Sequence, residues 1–282
     1  MLSVPAAVTV SAKRRTQDAW GTARDPDGAL RAAWVIDGAT PLGAEDPRIA
    51  GEQVARFAWR LSAGMRTGLG DTGSEARPLS RIVESARAEA QRSIGLGWPG
   101  AETPTATLSL IRRTAEGLEC FVLGDSPLWI EDGGEIREVG DPQFADGDAR
   151  VLRRWHELRA QGRTAEAAYA ELLEAQAQDR VARSTEDGLW ILGGSAEAAQ
   201  HACAHVLPGA EPRRVCLLSD GLERAVGTFG ITDRRGLFEA LQAGSAGEIA
   251  QQVRRLERED PHRLAAPRMT VHDDITGLAL TL

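Results

Sequence analysis

The chain has 282 residues, of which 42% are apolar and 26% charged, and a formal net charge of −8. That balance is ordinary for a globular protein and excludes a disordered or membrane-embedded chain, while the interspersed acid excess argues against a nucleic-acid binder. One large domain spanning residues 1–282, with decorations and no independent second domain, is the expectation at this length.

The opening stretch, MLSVPAAVTVSAKRR, lacks the charged-then-apolar order of a secretory signal. No apolar run approaches the roughly 20 residues a membrane helix needs, so a cytoplasmic location is expected. Short runs rich in β-branched or apolar residues predict strands at 8–11 and 32–36. Apolar residues at helical spacing predict helices at 49–65 and 79–94, and the Gly-rich polar stretch 64–78 between them reads as a mobile loop.

Strands follow at 105–111 and 118–123. The stretch 105–139 reads as a meander of three strands, turned at Asp125-Ser126-Pro127 and Asp132-Gly133-Gly134. A meander favours an antiparallel α/β sandwich over a parallel, doubly wound sheet. Helices are predicted at 151–160 and 165–178, where arginines cluster and strand formers are few. The segment at about 141–185 therefore reads as a helical insertion or flap, with a merely solvated hairpin as the plain alternative. A helix at 196–205, a strand at 215–218 and a helix at 249–256 complete the series.

Cys120, Cys203 and Cys216 show no close pairing, so neither a disulfide framework nor a four-thiolate zinc site is suggested. In His201-Ala202-Cys203-Ala204-His205, histidines four apart would share a helix face and could bind zinc. The run lacks a nearby third ligand, and structural use is the expectation.

Five acidic stations recur at the ends of strand-like runs: Gln17-Asp18, Asp37-Gly38, Gly124-Asp125-Ser126, Ser219-Asp220-Gly221 and Asp273-Asp274-Ile275-Thr276. An aspartate at a strand mouth is held rigidly while its carboxylate reaches solvent, and several converging make a hard oxygen site suited to Mg²⁺ or Mn²⁺. A lone Asp-Gly pair is usually only a turn. The order of the stations, however, resembles the spaced motifs of the protein phosphatase 2C family, over residues 13–280. No Cys-x5-Arg loop, Gly-x-Ser-x-Gly elbow or Walker A loop offers a competing reading.

The resemblance implies an α+β fold, a four-layer α-β-β-α sandwich with two antiparallel sheets and a metal centre at one edge. It implies a hydrolase, a Mn²⁺- or Mg²⁺-dependent phosphatase acting on phosphoserine and phosphothreonine in proteins through a water bridging two metals, with a third metal held more weakly. Asp37 with the Gly38 carbonyl would be the bridging region, completed by Asp220 and Asp273. Asp18 falls where the family has an acidic pair, and Asp125 where bacterial members hold the third metal. Asp37, Asp220 and Lys13 are thus the implied catalytic residues, with Lys13 in the place of the family's phosphate-gripping arginine, followed by Arg14 and Arg15. A phosphorylated protein substrate and a cognate Ser/Thr kinase are the expected partners, with neither nucleic acid nor membrane.

Departures are specific. The Asp37-Gly38-Ala39-Thr40 station lacks the histidine of eukaryotic members, His272 is the candidate general acid in its place, and Pro127 stands where an arginine is common. Two alternatives stand beside this reading: a catalytically weak family member acting as a binding protein, and a phosphomonoesterase of small molecules.

Overall fold

A computed structural model describes residues 6–40, 46–71, 73–95, 103–144, 147–181, 189–209 and 213–281. The first five residues of the opening stretch, residue 72 of the expected loop, and residues 145–146 and 182–185 of the expected insertion lie outside the described residues. In chain order the elements are β1 (Ala6–Val10), β2 (Ala19–Arg24), β3 (Leu30–Ala39), α1 (Pro47–Gly70), α2 (Leu79–Ile94), β4 (Thr105–Thr114), β5 (Gly117–Leu123), β6 (Leu128–Asp132), β7 (Glu135–Val139), α3 (Gly147–Ala160), α4 (Ala165–Val181), β8 (Cys203–Pro208), β9 (Arg214–Leu218), α5 (Asp220–Gly227), α6 (Arg234–Gln242), α7 (Ala246–Glu259) and β10 (Ile275–Thr281).

The strands form two antiparallel five-stranded sheets, in the orders β1-β10-β9-β6-β7 and β2-β3-β4-β5-β8. Between them lies an apolar layer that includes Ala33, Val35, Val122, Leu128, Leu217 and Leu278. The outer face of the second sheet is covered by α1 and α2 through Trp34, Phe57, Leu61 and Val83. That of the first is covered by α5, α6 and α7 through Trp129, Leu222, Phe238 and Val253. This is the expected four-layer sandwich.

Strand β3 shows why the centre forms where it does. Side chains alternate across a strand, so Ala32, Trp34 and Ile36 face the helices while Ala33 and Val35 face the other sheet. Asp37 continues the second series, which carries its carboxylate to the end of the inter-sheet layer.

Three sequence expectations give way. The meander is four strands, and it leaves one sheet for the other at Asp125-Ser126-Pro127, because β6 pairs with β9 rather than β5. Residues 64–70 of the expected loop are helical and extend α1. The glycines there allow close packing on α2, since a Cβ on Gly64 would stand 3.0 Å from the Ala86 Cβ. The expected helix at 196–205 is a 3₁₀ turn at Ala198–Gln200 followed by β8, an edge strand paired with β5. Pairing with an open sheet edge overrides the local helical spacing of its alanines.

The helices α3 and α4 form a hairpin with its own small core of Trp155, Leu158, Ala168, Tyr169 and Leu172. It is fastened to the loop before β10, where the Tyr169 hydroxyl donates to the Arg263 carbonyl at 2.7 Å and Met269 packs on the hairpin core.

Candidate metal centre

Two motifs are locked together behind the centre. The Ser219 hydroxyl accepts from the Thr276 amide at 2.9 Å, and the Ser219 amide donates to the Thr276 carbonyl at 2.9 Å. Two residues on from Ser219, a Cβ at Gly221 would lie 2.0 Å from the Asp274 carbonyl oxygen, so only glycine allows this approach. The end of β9 and the start of β10 are thereby fixed side by side, which presents Asp220 and Asp273 to the same space. Gly38 does the same for β3: a Cβ would meet the Gln17 carbonyl oxygen at 2.5 Å and Val54 at 2.6 Å. The first acidic station is thus held against the second.

The result is a convergence of carboxylates. One oxygen each from Asp37, Asp220 and Asp273 lie within 4.8 Å of one another. Asp18 joins them: its charge is the largest electrostatic influence on Asp37 after burial itself. Asp125, exposed at the rim, adds its field to both Asp37 and Asp220.

Burial and mutual repulsion push the Asp37 and Asp220 carboxyls well above the ordinary range. Burial, then the neighbouring charge of Asp274, raises Asp18 to about 7. Both oxygens of Asp18 and one of Asp220 are buried without a hydrogen-bond partner. Buried carboxylates that repel one another and lack donors are costly unless a cation joins them. An all-oxygen donor set of this kind fits hard divalent cations.

Several contributing residues were not singled out from the sequence. Arg224, one helical turn after Asp220 on α5, donates to Asp273 Oδ2 at 2.7 Å and to Glu257 Oε1 at 3.1 Å. Burial opposes its charge, but Asp273, Asp220 and Glu257 outweigh that and hold it firmly charged. The i, i+4 spacing of Asp220 and Arg224 was the available signal. Asp141 accepts from the Gly124 amide at 3.1 Å and so supports the turn that carries Asp125. No local pattern marks Asp141.

Asp274 has a role distinct from that of its neighbour. Its carboxylate, 1% exposed, accepts from the Gln17 amide at 2.8 Å and from Lys13 Nζ at 3.2 Å. Lys13 Nζ also donates to Gln17 Oε1 at 2.6 Å, while Gln17 Nε2 donates to the Thr40 hydroxyl at 2.7 Å. An amide can accept from one side and donate to the other, which a glutamate at position 17 could not. Arg14 is ion-paired with Glu52 at 3.6 Å, and Arg15 is exposed. The candidate acid His272 donates from Nδ1 to Glu257 Oε2 at 3.1 Å, and is thereby tied into the charge network behind the centre.

The pair His201 and His205 does not share a helix face. His201 stacks on Trp190 with ring centroids 3.5 Å apart, and His205 on β8 lies beside Cys203, Nε2 to Sγ 3.1 Å.

Comparison with known proteins adds to this geometry. The family described as protein phosphatase 2C matches residues 9–266. The Mycobacterium tuberculosis serine/threonine phosphatase PstP/Ppp superposes with a TM-score of 0.57 at 19% identity, covering 100% of this chain and 99% of that one. The PPM Ser-Thr phosphatase MsPP from Mycobacterium smegmatis, in complex with cacodylate, gives 0.52 at 20%, covering 99% and 98%. A PstP catalytic domain in complex with two manganese ions gives 0.53 at 17%, covering 100% and 99%. A search of curated proteins finds no match.

Proposed function

Since the chain belongs to the protein phosphatase 2C family and is by that membership a metal-dependent Ser/Thr phosphatase, we propose that Asp18, Asp37, the Gly38 carbonyl, Asp220 and Asp273 hold two Mn²⁺ or Mg²⁺ ions, with Asp125 contributing to a third. The observation that carries this assignment is the gathering of Asp37, Asp220 and Asp273 within 4.8 Å, together with the unpartnered oxygens of Asp18. When bound, such metals lower the pKa of a water toward about 7, orient it in line with the phosphorus and neutralise phosphate charge.

The chain's own groups hold and orient. Arg224 and the Thr270 hydroxyl both donate to Asp273 Oδ2, at 2.7 and 3.1 Å, which fixes one face of that carboxylate. Lys13 is the phosphate-binding residue in this reading. Asp274 and Gln17 engage two of its three ammonium protons, and the third remains for a phosphate oxygen. A point charge held this way binds ground state and transition state alike and acts on KM.

The α3–α4 hairpin is the flap of a single domain, an assignment supported by its fastening to the loop that leads into Asp273. Phosphoproteins are the substrates and a cognate Ser/Thr kinase the opposing partner. The cytoplasm is the compartment, in keeping with three cysteines that are all free. No helix among the described residues is long and apolar enough to cross a membrane.

The test is hydrolysis of p-nitrophenyl phosphate and of a phosphothreonine peptide after chelation and metal return. Activity should be absent in chelator and return with Mn²⁺ better than with Ca²⁺, which prefers more ligands at longer distances. Full turnover in excess chelator would overturn the metal assignment.

A further inference from the structure

Beside the centre lies a cleft of about 810 Å³ between the start of β2 and the outer stripe of α1, with Asp18 at one side. Its walls carry Arg15, Arg56, Arg60 and Arg66, all exposed, and two tryptophans, Trp20 at 39% and Trp59 at 61% exposure. We propose that this cleft is a docking groove for a carboxylate-rich polypeptide segment flanking the phosphorylated residue of the substrate, an inference that rests on the phosphatase reading above.

Charge is the first argument. In a chain of net charge −8, residues 54–70 of α1 carry Arg56, Arg60 and Arg66 and no acid. None of these three, nor Arg15, has a carboxylate partner among the described residues. The neighbouring Arg14, by contrast, is paired with Glu52. Arg56 and Arg60 also stand four apart on one helix, a like-charged spacing that works against helix stability. Like charges in one cleft, with no ion pair among the described residues, are suited to a counter-charge from outside.

Geometry is the second. Positions 56, 59, 60, 63 and 66 form one helical stripe, opposite the buried Val54, Phe57, Ala58, Leu61 and Met65. The Arg60 guanidinium lies 5.1 Å from the Trp59 ring centroid, so the ring steadies the cation while offering an apolar surface to a peptide stem. A segment lying in this cleft ends at Asp18, on the metal side. That continuity favours a polypeptide substrate over a nucleic acid, for which the acidic chain presents no extended basic face.

The experiment separates docking from turnover. An unphosphorylated, fluorescently labelled Glu-rich peptide is titrated against the protein in chelator and read by anisotropy, with a Gln-substituted peptide as control. Binding should be confined to the acidic peptide, fall with ionic strength, and weaken about tenfold in Arg56→Ala/Arg60→Ala/Arg66→Ala, since each exposed charge contact contributes a small factor. The corresponding triple Arg→Lys variant should recover most of it. In the Mn²⁺ enzyme, the kcat/KM ratio of an acidic phosphothreonine peptide to a neutral one should drop about tenfold in the same triple alanine variant.

Equal binding of acidic and neutral peptides, an unchanged ratio, or stronger displacement by a single-stranded oligonucleotide than by the acidic peptide would overturn the proposal. If no phosphate ester is hydrolysed in Mn²⁺, the phosphatase reading fails while the anisotropy titration still decides the groove.

Discussion

Two clusters of buried charge sit side by side at one end of the sandwich. In the first, Asp37, Asp220 and Asp273 gather within 4.8 Å with Asp18 acting on Asp37, and both oxygens of Asp18 and one of Asp220 have no donor. In the second, Glu257, fully buried, accepts from Arg224, Arg254 and His272, so that both of its oxygens are bonded. Arg224 joins the two by donating to Asp273. Both clusters desolvate charge, yet one is balanced from within and the other is not. A balanced network reads as scaffold, and a unipolar one as a site awaiting cations.

The carboxylate cluster should respond most strongly, and through activity. Chelation should abolish turnover. Asp37→Asn should lower kcat by more than about 100-fold, because losing a ligand exceeds the 10–100-fold typical of losing an outer-shell partner. The chelated Asp37→Asn protein should melt no lower than the parent, since a repelling charge has been removed. Near-parental turnover at saturating Mn²⁺ would remove Asp37 from the centre.

Glu257→Ala attacks the other cluster and should do the reverse. It leaves Arg254 buried without its counter-charge and takes one of two carboxylate partners from Arg224, which destabilises by roughly 3–5 kcal/mol, measurable as a lowered urea midpoint. Should that variant be as stable as the parent, the network is not scaffold.

A smaller effect concerns pH. The folded-state pKa of Asp18, about 7, lies above its ordinary 3.8, so folding favours the protonated form. Its contribution to stability is full below about pH 4 and is lost as pH rises through about 7. Melting temperatures of the chelated protein should therefore fall between about pH 5 and about pH 8, and Asp18→Asn should flatten the slope. Mn²⁺ should oppose the fall, because cation binding displaces protons. A pH-independent melt of the chelated parent would show that Asp18 is not protonated there.

The least drastic change is Lys13→Ala, expected to raise KM roughly tenfold with little change in kcat. Arg14→Ala is the control, since that guanidinium is engaged with Glu52. Loss of affinity in Arg14→Ala but not in Lys13→Ala would move the phosphate contact along the chain.

Much of this molecule was legible in its local pattern. Helical spacing gave α2 at its observed bounds, 79–94, and located the bodies of α1, α3, α4 and α7; the strand runs at 32–36, 105–111, 118–123 and 215–218 all lie inside observed strands. The acidic stations were visible because strand-Asp-Gly junctions repeat in a fixed order. What local pattern could not hold is the choice made by distant partners. Residues 196–205 carry apolar residues at helical spacing, but an open edge of β5 takes Cys203–Pro208 as a strand. Asp273 and Asp274 are adjacent and chemically identical. Only the fold sends the first to the carboxylate cluster and the second to Lys13, 261 residues away, and to the Gln17 amide. Periodicity encodes which face of an element is apolar, whereas the pairing of a charge depends on which chain segment arrives opposite it. That is decided by the packing of the two sheets, which no window of neighbouring residues contains.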